Sequence, residues 1–401
     1  MSSHLDDAVA ALEDQLADQP DRGEIRLQLG MALIQRGDYR RAEEEVARAA
    51  QDLDPDEAPR EHATALNLMG TVCRDTGRFD LAGEFFARAA STYEAADAAL
   101  EQGAALHNLG LVERDLGDVP SAMETFREAR ELLDRGRVPR QAATNLRELG
   151  SSLLTHGDLD EAISLLEDAA DLAGRAGDVI GEGSAANSLG LGRLAAGDVD
   201  GAVAAFQRAR AAHPRSIRAD GYAMATANLA LAHERGGNDP RARLSAAQAL
   251  AVPDAPHPVV AQATAVLERL GSDPDDFHRA LDDAAKDDWE RLARAEVDRW
   301  TLLGDDELTV PVDGWIAGLL ARDGGEIERT AVLLGRFLEL PPPDMDRLVT
   351  VLVERTAPLT DEGHDRVRRA VSRALARFPV PQWMRLRETF RAATGGDEDW
   401  G

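Results

Sequence analysis

A forty-residue period runs through the first 250 residues and constrains the fold more than any other feature. The segments LNLMGTVCRDTGRFDLAGEFFARAA (66–90), LHNLGLVERDLGDVPSAMETFREAR (106–130), LRELGSSLLTHGDLDEAISLLEDAA (146–170) and ANSLGLGRLAAGDVDGAVAAFQRAR (186–210) align without gaps. A further copy precedes them (27–50) and a weaker one follows (227–250). Small residues recur at Gly30, Gly70, Gly110, Gly150, Gly190 and Ala230, and turn glycines at Gly37, Gly77, Gly117, Gly157, Gly197 and Gly237. Two alanine series follow, at 42, 82, 122, 162, 202 and 242 and at 49, 89, 129, 169, 209 and 249.

Each landmark has a physical reason. A glycine inside a helix costs about 1 kcal/mol relative to alanine, so its recurrence there marks a close approach by a neighbouring helix. The second glycine, seven residues on, ends that helix in a left-handed cap. Asp38, Asp118, Asp158 and Asp198 follow it and are placed to cap the next helix. The two alanine positions, seven apart, put small side chains on one face of that second helix. The unit is helix, tight turn, helix.

These six copies resemble the tetratricopeptide repeat family over roughly residues 23–254. The forty-residue spacing is similar to the longer subclass found in kinesin light chains and in some bacterial peptide-sensing regulators. Departures occur at repeat position 11, where a large aromatic is usual and this chain has Leu33, Cys73, Glu113, Leu153, Arg193 and His233, and at Ala246, where a bulky residue is lost. The resemblance implies an all-α, right-handed helix-turn-helix solenoid whose first helices line a concave surface through positions 2, 5, 6, 9, 12 and 13. Carried over repeat by repeat, it nominates Asn67, Arg147 and Asn187 at position 5, Asn108 and Asn228 at position 6, and Arg74 and Arg114 at position 12. Amides bond both donors and acceptors of a peptide backbone. Arginines grip carboxylates with paired bonds.

Composition narrows the class. With 73 acidic against 45 basic residues the formal net charge is -28, and Lys286 is the one lysine. Two origins fit, a salt-rich cytoplasm such as a haloarchaeon's and a high-GC actinobacterial genome. Such acidity argues against broad binding to nucleic acid or anionic lipid. Aromatics are 4% of the chain against 44% hydrophobic, so the core must be built from Ala, Leu and Val. One cysteine, Cys73, rules out an intramolecular disulfide and reads as a buried, inert thiol. The amino terminus lacks the pattern of a secretory signal, and no apolar run reaches membrane-spanning length, so a cytoplasmic location is expected.

The expected organisation is a capping helix within 1–22, six repeats over 23–254, a degenerate repeat or cap over 255–285, a carboxy-terminal helical region over 286–395 and a disordered tail over 396–401. Helix signals beyond the repeats fall at 258–270, 274–285, 287–303, 312–323, 325–339, 344–356, 361–378 and 381–393, with a break expected at Gly304–Val310. Eight arginines crowd residues 366–391, and Arg366, Arg369, Arg373 and Arg377 make a candidate secondary basic surface.

No phosphate-cradling loop, zinc-protease helix, nucleophile elbow or dinucleotide fingerprint is present. Asp52, Asp54 and Asp56 imitate the start of a calcium loop, but Glu57 replaces its glycine. No cofactor or metal is expected. The reading that follows is a non-enzymatic scaffold or adaptor holding a protein or peptide in its groove. The alternative is a ligand-responsive sensor coupled to the carboxy-terminal helices. An enzyme using Asp305, Asp306, His364 and Trp315 ranks third.

Overall fold

A computed structural model describes residues 2–19, 22–396 and 400. Among these the chain is an all-α repeat solenoid with no strand. It forms two compact units, Met1–Ala196 and Gly197–Gly401.

In the first unit the capping helix is α1 (Ser2–Asp18), and Val9 on it packs with Leu29 and Leu33 of the first repeat. The repeats pair α2 (Gly23–Arg36) with α3 (Tyr39–Asp52), α4 (Pro59–Asp75) with α5 (Phe79–Ala95), α6 (Ala99–Asp115) with α7 (Val119–Gly136), and α8 (Pro139–His156) with α9 (Leu159–Arg175). Helix α10 (Val179–Ala195) closes the unit against α9.

The landmark residues behave as their chemistry requires. A Cβ placed on Gly110 would lie 2.8 Å from the Phe126 ring, and one on Gly150 would lie 2.7 Å from Leu166. The turn glycines take φ between 72° and 106°. Asp38, Asp118 and Asp198 accept backbone N–H bonds from Arg41, Ser121 and Gly201. Asp158 makes no such bond and is instead 2.8 Å from the His156 imidazole. A left-handed residue also recurs between repeats, at Asp97, Arg137 and Gly177. It escapes a search for glycine because only one of the three is glycine. The alanines of both series are fully buried, as is Cys73, whose thiol burial pushes above its ordinary pKa.

The second unit opens with α11 (Val199–Ala212), α12 (Ala219–Arg235) and α13 (Asp239–Leu250). It continues through α14 (His257–Leu270), α15 (Asp276–Asp282), a 3₁₀ turn (Lys286–Asp288), α16 (Trp289–Trp300), α17 (Asp305–Leu320), α18 (Glu326–Phe337), α19 (Pro342–Thr356), α20 (Asp361–Leu375) and α21 (Val380–Ala393). Most of the chain's large aromatics sit in one cluster here, with Trp300, Trp315, Phe337 and Phe390 among its members. The last repeat is tied to this region by Arg243 of α13, which grips Asp276 through Nε and Nη2.

Two expectations need correction. The expected break at Gly304–Val310 is helical from Asp305 onward. The Glu307 carboxylate accepts the Gly304 N–H at 3.2 Å, and three acids in the first turn suit the positive end of the helix. Trp400, placed in a disordered tail, is buried and stacks on Phe390 with ring centroids 5.5 Å apart. Gly395 and Gly396, both left-handed, end α21 before it. The rest of that expected tail, residues 397–399 and 401, lies outside the described residues.

Candidate functional site

In the first unit, neighbouring first helices touch each other directly: α2 with α4, α4 with α6, α6 with α8, and α8 with α10. The second helices pack chiefly on the first helices before and after them. First helices therefore form the tighter, inner layer of this unit, and their exposed edge is the surface on which the nominated residues fall.

Along and beneath that edge a chain of polar contacts runs from repeat to repeat, with Asn145 and Glu148 buried under it. The Asn108 amide donates to the Asn67 side-chain oxygen at 3.3 Å. One repeat further, His107 Nδ1 lies 3.0 Å from Asn145 Oδ1, and Asn145 Nδ2 donates to the Phe126 carbonyl at 2.8 Å. Burial holds the His107 imidazole below its ordinary pKa, with the Asn145 bond working against that effect, so the ring is neutral near pH 7. The ring also lies 5.6 Å from that of Phe126.

The next rung carries charge. Glu148 is buried, and its carboxylate accepts from both Arg114 and Arg147. Two guanidiniums share one buried carboxylate, and most of their N–H donors are uncommitted to it. Arg114 also reaches Asp115 at 3.5 Å, and Arg74 pairs with Asp75 at 3.1 Å. Exposed apolar side chains flank these groups at repeat position 9, Met31 on α2 and Leu191 on α10. The face thus offers fixed amides, oriented arginines and isolated hydrophobic contacts.

Of the nominated residues, Asn67, Arg74, Asn108, Arg114 and Arg147 come together on this face, and Asn187 is half-buried on α10. Asn228 belongs to the second unit and is buried. Gln262 of α14 donates to it at 2.9 Å, making it a strut between helices instead of an open anchor. Sequence reasoning missed Glu148, Asn145 and His107. Their positions 6, 3 and 5 were visible, but nothing local signals that residues 34 to 41 apart will pair.

The carboxy-terminal arginines divide. Arg366 is half-buried, donates to the Leu320 carbonyl at 2.8 Å and pairs with Glu326 at 2.6 Å, so it caps α17 and ties α20 to α18. Arg377 pairs with Glu328 at 2.9 Å. Arg369 and Arg373 are exposed. The residues of the enzyme alternative do not converge on one cleft. Trp315 is in the core beside His278, Asp305 pairs with Arg347, and His364 packs against Trp400. Asp54 of the acidic triplet accepts the Asp56 backbone N–H, which is a turn contact.

Tetratricopeptide repeat models match residues 2–66, 61–135 and 187–258, together just over half of the sequence. The chain belongs to the tetratricopeptide repeat family. Solved structures similar to it include BtubC (BKLC) from P. vanneervenii, 22% identical with a TM-score of 0.44, over 52% of this chain and 88% of that one. Pseudomonas aeruginosa PilF is 15% identical with a TM-score of 0.48, over 62% and 97%. YrrB, described as a TPR protein with an unusual peptide-binding site, is 19% identical with a TM-score of 0.37, over 52% and 94%. These likenesses concern the fold. No curated protein sequence matches the chain. Among the described residues no helix is long and apolar enough to cross a membrane.

Proposed function

We propose that the first-helix face of residues 23–196 docks a partner protein or peptide, and that the chain is a non-catalytic scaffold or adaptor acting in the cytoplasm. The observation that carries this reading is the row of half-buried polar groups Asn67, Asn108, His107, Arg114 and Arg147, the last three held from beneath by the buried Asn145 and Glu148. Side chains held by their neighbours lose little rotamer freedom when a partner arrives, so more of each contact survives as affinity. Guanidinium N–H donors of Arg114 and Arg147 left over by Glu148 favour an acidic segment of the partner at that rung.

A photo-crosslinking residue at Met31 or Leu191, both exposed on first helices, tests the assignment against one at Glu128, exposed on the second helix α7. Adducts with a discrete protein or peptide are expected from the first-helix positions and not from Glu128. Equal yields from both faces, or no adduct from the first helices, contradict the reading.

A further inference from the structure

The second unit contains a basic cavity that the docking face does not use. It is small, about 20 Å³, and lies among α11, α12, α13 and α16. Its charged and polar walls are Gln207 and Arg210 from α11, His233 from α12, Arg241, Ser245 and Gln248 from α13, and Arg291 from α16. Three arginines from three helices around one small space are unexpected in a chain of net charge -28.

The counter-charges do not balance them. Arg291 pairs with Asp288 at 2.9 Å. Among the described residues, neither Arg210 nor Arg241 makes an ion pair, and the Arg241 Nε is buried with no hydrogen-bond partner. Asp298 acts on Arg210 only at longer range, and Asp283 and Asp288 likewise on Arg241. Burial is the main cause that holds both guanidiniums below their ordinary pKa; Arg291 repels each of them, while Tyr222 works the other way on Arg210. Arginine does not shed its proton to relieve such a cost. The three arginines are half-buried, and an unpaired cation that has lost part of its water is costly; an anion in the space between the guanidiniums removes the penalty.

We propose that Arg210, Arg241 and Arg291, with His233, Ser245 and Gln248, form a socket for one oxyanion headgroup of carboxylate or phosphate type. Guanidinium forks match the oxygen spacing of such groups, while a neutral imidazole, a hydroxyl and an amide supply further donors. His233 is neutral because burial and the three arginines push its pKa down to about 3, so it donates one N–H without adding charge. The cavity holds only about one or two waters' worth of space. Only the oxygen-bearing edge of the headgroup therefore enters, whether it belongs to a free small anion or to the tip of an acidic side chain. The proposal does not depend on the docking face.

Thermal unfolding of the full chain in sodium acetate, sodium phosphate and sodium chloride at matched ionic strength tests the socket. Acetate or phosphate is expected to raise the midpoint by about 3 °C or more beyond chloride, saturably, as ligand linkage requires. The excess should vanish in Arg210→Gln/Arg241→Gln. A blocked aspartyl dipeptide separates the sources: a saturable shift with it points to a peptide-borne carboxylate, while a shift with acetate or phosphate alone points to a free anion. Identical midpoints for wild type in all three salts overturn the proposal even where the variant fails to fold. An excess that survives the double substitution overturns it as well.

Discussion

The Phe86 ring lies so close to Gly70 that a Cβ on the glycine would come within 2.7 Å of Cδ1. Helix α4 thus accepts the propensity penalty of a buried mid-helix glycine so that α5 can seat its aromatic against the backbone. Gly70→Ala gains about 1 kcal/mol of helix propensity but must displace a stiff ring, and overpacking costs typically about 1–3 kcal/mol. Net destabilisation is expected. Gly83 in α5 has its nearest neighbours at 3.7 Å, an ordinary contact. Gly83→Ala should therefore stabilise by roughly 0.5–1 kcal/mol. Urea unfolding of the two variants checks the contrast, and shifts of the same sign would refute it.

Arg137 holds a left-handed backbone, φ 52°, at the turn between α7 and α8. A non-glycine residue there carries strain of order 1 kcal/mol. Arg137→Gly relieves it at the expense of greater chain freedom in the unfolded state, so the expected gain is small, about 0.5 kcal/mol. A midpoint lowered by the substitution would show that the arginine side chain contributes more than the strain costs.

The Arg243–Asp276 pair is buried on both sides and bonded through two guanidinium nitrogens. Burial nevertheless lifts the Asp276 carboxyl above its ordinary pKa, the adjacent arginine only partly offsetting it. The pair therefore adds little net stability, although breaking it is costly. Asp276→Asn is expected to destabilise by about 3 kcal/mol, whereas Arg243→Met/Asp276→Leu should recover much of that loss. A double-mutant cycle in denaturant measures both.

His278 is fully buried, with Nε2 donating to the Trp315 carbonyl at 2.7 Å and Nδ1 lacking any partner. Protonation would create a buried N–H with no acceptor. Burial, with Arg322 and Arg329 nearby, pushes the pKa down to about 4 from 6.5. The unfolded chain binds the proton first, so stability is lost as pH falls from about 6.5 to about 4. The loss is on the order of 3 kcal/mol at 1.36 kcal/mol per pKa unit. His278→Gln should flatten the acid limb of stability against pH, and an unchanged slope would count against the assignment.

Much of the fold was legible because its signals are local and repeated. Turn glycines, buried alanines and three of the four named aspartate caps each follow from the backbone geometry of a few adjacent residues. The other left-handed series, Asp97, Arg137 and Gly177, was not legible, because residue type does not mark it consistently. The start of α17 was misread because Asp305, Asp306 and Glu307 suit a loop as well as a first helical turn. The candidate face was half legible. Family spacing found Asn67, Asn108, Arg114 and Arg147. It gave no sign that Glu148 joins two of them, or that Asn228 is a strut. The basic cavity was invisible, since its arginines lie 31 to 81 residues apart and each alone looks like an ordinary surface charge.

The docking claim is tested most directly by the affinity of the crosslinked partner for two charge-inserting variants. Leu191→Arg alters an exposed residue of a first helix, and Leu81→Arg alters one of similar exposure on a second helix, 42% against 38%. Neither should shift the unfolding midpoint much. The account predicts at least a tenfold change in Kd for Leu191→Arg, about 1.4 kcal/mol, and none for Leu81→Arg. Equal affinities for wild type and Leu191→Arg, with a loss confined to Leu81→Arg, would contradict it.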